Sequence, residues 1–129
     1  MKLLLDTHVV LSSASEPDRL ASAARAAIED GTSDVLVSTV SAWEIAIKQS
    51  IGKLDLPAPV EEWLPEVLRR SGFEVLDLGL AAALRVRSLA WHHKDPFDRL
   101  LIAHALDGGY TVVTQDEVFA AYGVAVLAA

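Results

Sequence analysis

The stretch DVLVSTVSAWEIAIKQSI, residues 34–51, decides how this chain folds. Asp34–Ser38 is a short Val-rich run of strand formers. It passes directly, through Ser38 and Thr39, into a segment whose apolar residues Val40, Trp43, Ile47 and Ile51 recur at helical spacing. The same alternation extends outward in both directions. Lys2–Leu5 is a short apolar run ending at Asp6, and Phe73–Leu76, Tyr110–Thr114 and Val124–Leu127 are further runs rich in Val and other strand formers. Between them lie helical patterns: Leu20, Ala24, Ala27 and Ile28, then Val60–Ser71, Ala81–Leu89 and Pro96–Asp107. Strands separated by segments of this length cannot pair as hairpins. The expected fold is therefore α/β, with a mainly parallel central sheet of four to five strands and helices on both faces. Pro65 lies inside a helical pattern, which predicts a break or kink near Leu64.

Composition bounds the function. The 129 residues suffice for one α/β domain with a hydrophobic core and are too few for two, so residues 1–129 are read as a single domain. Apolar residues make up 52% of the chain against 22% charged, with no Pro/Gly/Ser-rich linker, which argues against disorder. The absence of cysteine excludes disulfides, thiolate metal sites and a cysteine nucleophile. A run of only three apolar residues, Leu3–Leu5, leads into Asp6, far short of a signal-peptide core or a membrane span, and a cytoplasmic protein is expected. The formal charge of −7 argues against nucleic-acid binding by a broad basic surface. An acidic chain can still act on phosphates when some of its carboxylates hold a divalent cation.

In open parallel sheets, ligands bind beyond the carboxyl ends of the strands, and the acids are placed accordingly. Asp6 follows the first strand and Asp116 follows Tyr110–Thr114. Each could equally be a helix cap. Glu44 falls four residues after Val40 and three before Ile47, inside an apolar stripe, and Asp98 is followed by Leu101, Ile102 and Ala105 on its own helix. A carboxylate turned toward a core costs several kcal/mol, as an order of magnitude, unless a cation or strong hydrogen bonds compensate it. Here too there are plainer alternatives. Glu44 could pair with Lys48 at i+4, and Asp95-Pro96-Phe97-Asp98 reads as cap, N1 proline and N3 acid, the role expected of Asp95. Four converging carboxylates would repel one another if left empty. Oxygen ligands without cysteine favour Mg²⁺, or Mn²⁺, as the cofactor.

The stretches LLLDTH (3–8), SAWEIAIK (41–48), DPFDRLLIAHA (95–105) and VVTQDEVF (112–119) together resemble the PIN-domain ribonucleases, and more narrowly the VapC-type toxins of bacterial toxin–antitoxin pairs. The resemblance covers nearly the whole chain. Carried over residue by residue, it places the family's acidic quartet on Asp6, Glu44, Asp98 and Asp116, with Thr114 as the hydroxyl residue supporting the last acid. It implies a PIN-like nuclease domain, a Mg²⁺ or Mn²⁺ site, endonucleolytic cleavage of an RNA substrate, a homodimer and inhibition by a cognate antitoxin protein. It assigns no role to His8.

On this reading Asp6, Asp98 and Asp116 contact metal, with Glu44 as a further ligand or as the group that orients the attacking water. Lys48, Lys53, Lys94 and Arg99 are the candidate substrate contacts, and Arg99 adjoins the proposed site. No histidine pair has i, i+4 spacing, so His92 and His93 are not expected to bind metal. Trp43 and Trp63, at apolar helical positions, are expected in the core or an interface. No Gly-rich phosphate loop, GxSxG elbow or dinucleotide fingerprint is present. Two other functions share parts of this pattern. A phosphoacceptor signalling domain would need an acid pair after the first strand, where Asp6 stands alone, and a non-catalytic partner-binding domain could use the apolar helices around Trp43 and Trp63.

Overall fold

Alternation along the strands builds the two halves of the core. In the computed structural model, which describes residues 1–129, β1 (Lys2–Leu5) points Leu3 and Leu5 to one face and Leu4 to the other, all fully buried. The adjacent β2 (Asp34–Ser38) repeats the pattern with Val35 and Val37 opposite Leu36. Burial on both faces is what a parallel sheet covered by helices requires.

The remaining strands are β3 (Glu74–Leu76), β4 (Thr111–Thr114) and β5 (Val126–Ala128). All pairings are parallel and the sheet order is β3-β2-β1-β4-β5, as the strand–helix alternation predicts. One face packs against α1 (Thr7–Ser15), α2 (Ser22–Glu29), α3 (Thr39–Ser50) and α4 (Val60–Ser71), through Val9, Val10, Ala24, Ile45 and Leu64. The other packs against α6 (Pro96–Gly108), through Leu101, Ile102 and Ala105, and against Phe119. The short α5 (Leu80–Arg85) lies against α6. Ser38, at the end of β2, caps α3 through Val40 N and meets the buried His104 of α6 at 2.9 Å. Burial holds the His104 imidazole below its ordinary pKa.

The chain order makes β1 the centre of the sheet. It leaves β1 toward β2 and β3 on one side, then returns to lay β4 along the other side. The crevice between the carboxyl ends of β1 and β4 is thus the topological switch point, where open α/β sheets bind ligands. Because α6 leads down into β4, its first turn stands at the same edge.

Two local expectations are corrected. The break near Leu64 does not occur, because helix α4 runs through Pro65. The proline and Glu61, whose carbonyl loses its helical partner, are both exposed, so water can satisfy that carbonyl. Helix α1 was not among the helical patterns because its second half, Leu11-Ser12-Ser13-Ala14-Ser15, is mostly small and polar. It forms because Asp6 caps its first turn and Val9 and Val10 are buried. A 3-10 segment, Glu117–Tyr122, follows Asp116. No helix is long and apolar enough to cross a membrane.

Leu4 touches the α6 side of the core from the central strand and has no exposed surface. Leu4→Ala is expected to cost about 2–5 kcal/mol, read as a lower urea midpoint with an unchanged slope.

Candidate active site

Each of the four predicted acids is delivered to the β1–β4 edge by a different element. Asp6 is the first residue past β1, and its main-chain N–H still bonds to the Val113 carbonyl at 3.0 Å. It is 5% exposed and also caps α1, with Oδ1 accepting from His8 N at 3.2 Å. Asp116 lies two residues past β4 and caps the 3-10 segment, Oδ1 accepting from Val118 N at 2.9 Å. For these two, capping and membership of the cluster turn out to be compatible roles.

Thr114 joins them. Its buried hydroxyl donates to Asp6 Oδ2 at 2.6 Å and accepts from the backbone N of Asp116 at 3.0 Å. A hydroxyl can do both at once, and a valine of similar shape could do neither.

Glu44 is 3% exposed, and both of its oxygens are engaged. Thr7 donates to Oε1 at 2.7 Å, with the Ser41 hydroxyl 3.0 Å from that of Thr7, and Lys48 forms an ion pair with Oε2. The hydrogen bond to Glu44 raises the Lys48 pKa above its usual value. Lys48 is therefore committed to Glu44 rather than free for substrate, while Lys53 and Lys94 are exposed. Thr7 and Ser41 belong to the site although sequence reasoning passed over them, and their only signal was position: one follows Asp6 and the other precedes Glu44 by three residues on α3.

Asp98 carries the mark of crowding. Burial first, then the negative charges of Asp6 and Asp95 and a smaller contribution from Glu44, push its carboxyl up to about 7, with His93 acting in the opposite direction. These acids are thus close enough to feel one another. Asp95 takes the capping role expected of it, accepting from Phe97 N at 2.8 Å and Asp98 N at 3.3 Å.

Two expectations change. His93 was not expected at the acids, yet its Nε2 hydrogen-bonds to Asp116 Oδ2 at 3.0 Å and lies 3.0 Å from Asp98 Oδ2. Ligand atoms of His93, Asp98 and Asp116 fall within 4.8 Å of one another. No spacing rule finds this residue, because it reaches Asp116 across 23 positions of sequence. Arg99 was expected to face substrate, but it is 3% exposed and its guanidinium is taken up internally. It donates to the carbonyls of Ala90 at 2.7 Å and Leu89 at 3.3 Å and to Tyr122 Oη at 3.2 Å, and it lies 3.7 Å from the centroid of the Trp91 ring. It clamps the loop before α6 instead. Of the two tryptophans expected in the core or an interface, Trp63 packs on the core, while Trp43 is 57% exposed with its ring edge-to-face against Phe97.

The donor set suits a hard divalent cation. Carboxylate oxygens dominate, and their mutual repulsion, visible at Asp98, is what a cation relieves.

A parallel sheet with acids from four elements at its switch point defines a carboxylate-centred α/β domain, and the comparisons give it a family. The PIN domain family model matches residues 3–125. Ribonuclease VapC22 of Mycobacterium tuberculosis is 32% identical over 117 residues, covering 88% of this chain and 86% of that protein. The chain belongs to the PIN-domain family and, within it, to the VapC ribonucleases. Among solved structures, a chain of VapBC2 from Rickettsia felis, bound to a fragment of promoter DNA, superposes with a TM-score of 0.75 at 16% identity, over 99% of this chain and 98% of its own. That likeness concerns the fold. A chain of FitAcB from Neisseria gonorrhoeae gives a TM-score of 0.61 at 27% identity, over 97% and 96% of the two chains.

The raised Asp98 carboxyl has a consequence for stability. Its folded pKa of about 7 exceeds the ordinary 3.8, so between these values the folded metal-free protein binds more protons than the unfolded chain. The Asp98 contribution therefore makes stability fall as pH rises through that window, and become constant above it. Chemical denaturation of wild type and Asp98→Asn without metal, from pH 4 to pH 8, is expected to show this slope removed by the substitution.

Proposed function

We propose that the protein is a metal-dependent endoribonuclease, the toxin of a VapBC-type pair, acting in the cytoplasm on RNA through Asp6, Glu44, Asp98 and Asp116. The observation that carries the reading is the convergence of these acids at the β1–β4 edge, with Asp98 pushed up to about 7 by burial and then by the charges of Asp6, Asp95 and Glu44, and with Asp116 beside it. The similarity to a protein named as a ribonuclease supports the substrate class.

Asp6, Asp98 and Asp116 would hold Mg²⁺ or Mn²⁺, directly or through water. When bound, the cation acidifies a water and neutralises charge developing on the phosphodiester. The chain's own residues supply the geometry. Thr114 fixes Asp6 against the Asp116 backbone, and Thr7 and Lys48 hold Glu44 in the orientation needed to be a ligand or to accept a hydrogen bond from the attacking water.

A partner chain also has room. A groove of about 830 Å³, lined by residues of α1, the 54–58 loop and α4, opens beside the site, where His8 and Gln115 flank the acids. Leu11, Leu56 and Trp63 give it apolar surface, and Arg19 and Arg70 with Glu16, Asp55, Glu62 and Glu66 give it a mixed charged rim, which suits an amphipathic antitoxin segment. The toxin–antitoxin complexes among the structural neighbours support such a partner. Leu80 and Leu84, one turn apart on α5, are 75% and 64% exposed and support a homodimer. Light scattering is expected to give the mass of a dimer for wild type and of a monomer for Leu84→Glu.

The deciding experiment is cleavage of total cellular RNA by the purified protein and its Asp6→Asn form, each with Mg²⁺, Mn²⁺ or excess EDTA. Discrete products that require metal are expected from the wild type, with the variant folded but at the level of the EDTA control. Full activity in Asp6→Asn would sink the assignment.

A further inference from the structure

The imidazole of His93 is wedged between two of the acids, and its hydrogen bonds fix its tautomer. Nδ1 lies 3.0 Å from the backbone N of Asp95 and accepts from it. A backbone N–H can only donate, so the ring proton is on Nε2, the atom facing Asp116 Oδ2 and Asp98 Oδ2 at 3.0 Å each. A histidine that ligates metal through Nε2 needs the opposite tautomer. That would aim an Nδ1 proton at the Asp95 N–H and leave the amide unpaired.

We propose that His93 is a positioning residue for the metal-binding carboxylates and not a ligand itself: its Nε2–H holds Asp98 and Asp116 in the orientation a divalent cation requires. This inference rests on the metal-dependent reading above.

The surroundings of the ring fit that task. His93 N donates to Tyr122 Oη at 2.8 Å, and the ring stands edge-on to Phe119 with 6.3 Å between centroids. Arg99 donates to the same Tyr122 hydroxyl and approaches the His93 carbonyl at 3.4 Å. Arg99 is the residue after Asp98, so a single helical turn carries an acid outward and, on its buried side, the clamp that fixes the histidine bonded to that region. Hydrogen bonds of this kind to ligating groups typically change metal affinity about 10–100-fold.

The test uses the full chain and Mn²⁺ as the probe, with wild type, His93→Ala and His93→Gln compared by titration and by electron spin-echo spectroscopy of the bound ion. The wild type is expected to bind Mn²⁺ without the strong ¹⁴N coupling of a coordinated imidazole. His93→Ala is expected to bind about 10–100-fold more weakly. His93→Gln, whose amide N–H can still donate to a carboxylate, should recover part of that loss. A directly coordinated ¹⁴N signal that disappears in His93→Gln overturns the proposal, as does unchanged affinity in the folded variants. If His93→Ala does not fold, the wild-type and His93→Gln spectra decide the matter. A wild type that binds no Mn²⁺ removes the metal reading and this inference together, whereas Mn²⁺ binding with the ¹⁴N signal removes this inference alone.

Discussion

Mutual repulsion among acids gathered at one sheet edge is the constraint around which this molecule is built. The carboxyl of Asp98 is pushed up to about 7, by burial first and then by the repulsion of its acidic neighbours. Around it the fold places donors: the Thr114 hydroxyl on Asp6, the Thr7 hydroxyl and Lys48 ammonium on Glu44, and His93 Nε2 between Asp98 and Asp116. Most of these donors are fixed by secondary structure. Thr114 ends a strand, Thr7 opens a helix behind Asp6, and Lys48 stands one turn beyond Glu44 on α3. The cluster is thus held together by the same elements that create it, with the remaining charge left for a cation to balance.

The sheet could be read from the sequence because burial on both faces leaves continuous apolar runs that end at Asp6 and near Asp116. Glu44 and Asp98 were legible for a related reason: each interrupts an apolar stripe that would otherwise be unbroken. What could not be read was set by contacts between distant segments. His93 meets Asp116 across 23 positions, and Arg99 looks like any helical arginine until the loop from Val86 to His93 folds over it. Pro65 misled because propensity rules count a lost hydrogen bond without knowing that the freed carbonyl faces water. Helix α1 was missed because its cap and two valines outweigh a weak second half.

Arg99 also shows why charge near an acidic site is an unreliable sign of substrate contact. Its place beside Asp98 in sequence puts it on the adjacent face of the helix, which turns away from the acids and into the protein. Buried there, its two terminal nitrogens donate to the carbonyls of Val86, Leu89 and Ala90 and to Tyr122 Oη in place of a carboxylate. The result is a loop held in a defined shape, with Leu89 buried in the core and Val86 packed against it.

The hydrogen bond from Thr114 to Asp6 closes a gap of 108 residues. A strand made first is completed by one made nearly last, so the link between Asp6 and Asp116 cannot form from local contacts. Long-range pairing of this kind is slow to form compared with helical contacts. During synthesis the ribosome releases β1, β2 and most helices while Thr114 and Asp116 are still to come. The full set of acids at the β1–β4 edge is therefore assembled only once the C-terminal strands have docked.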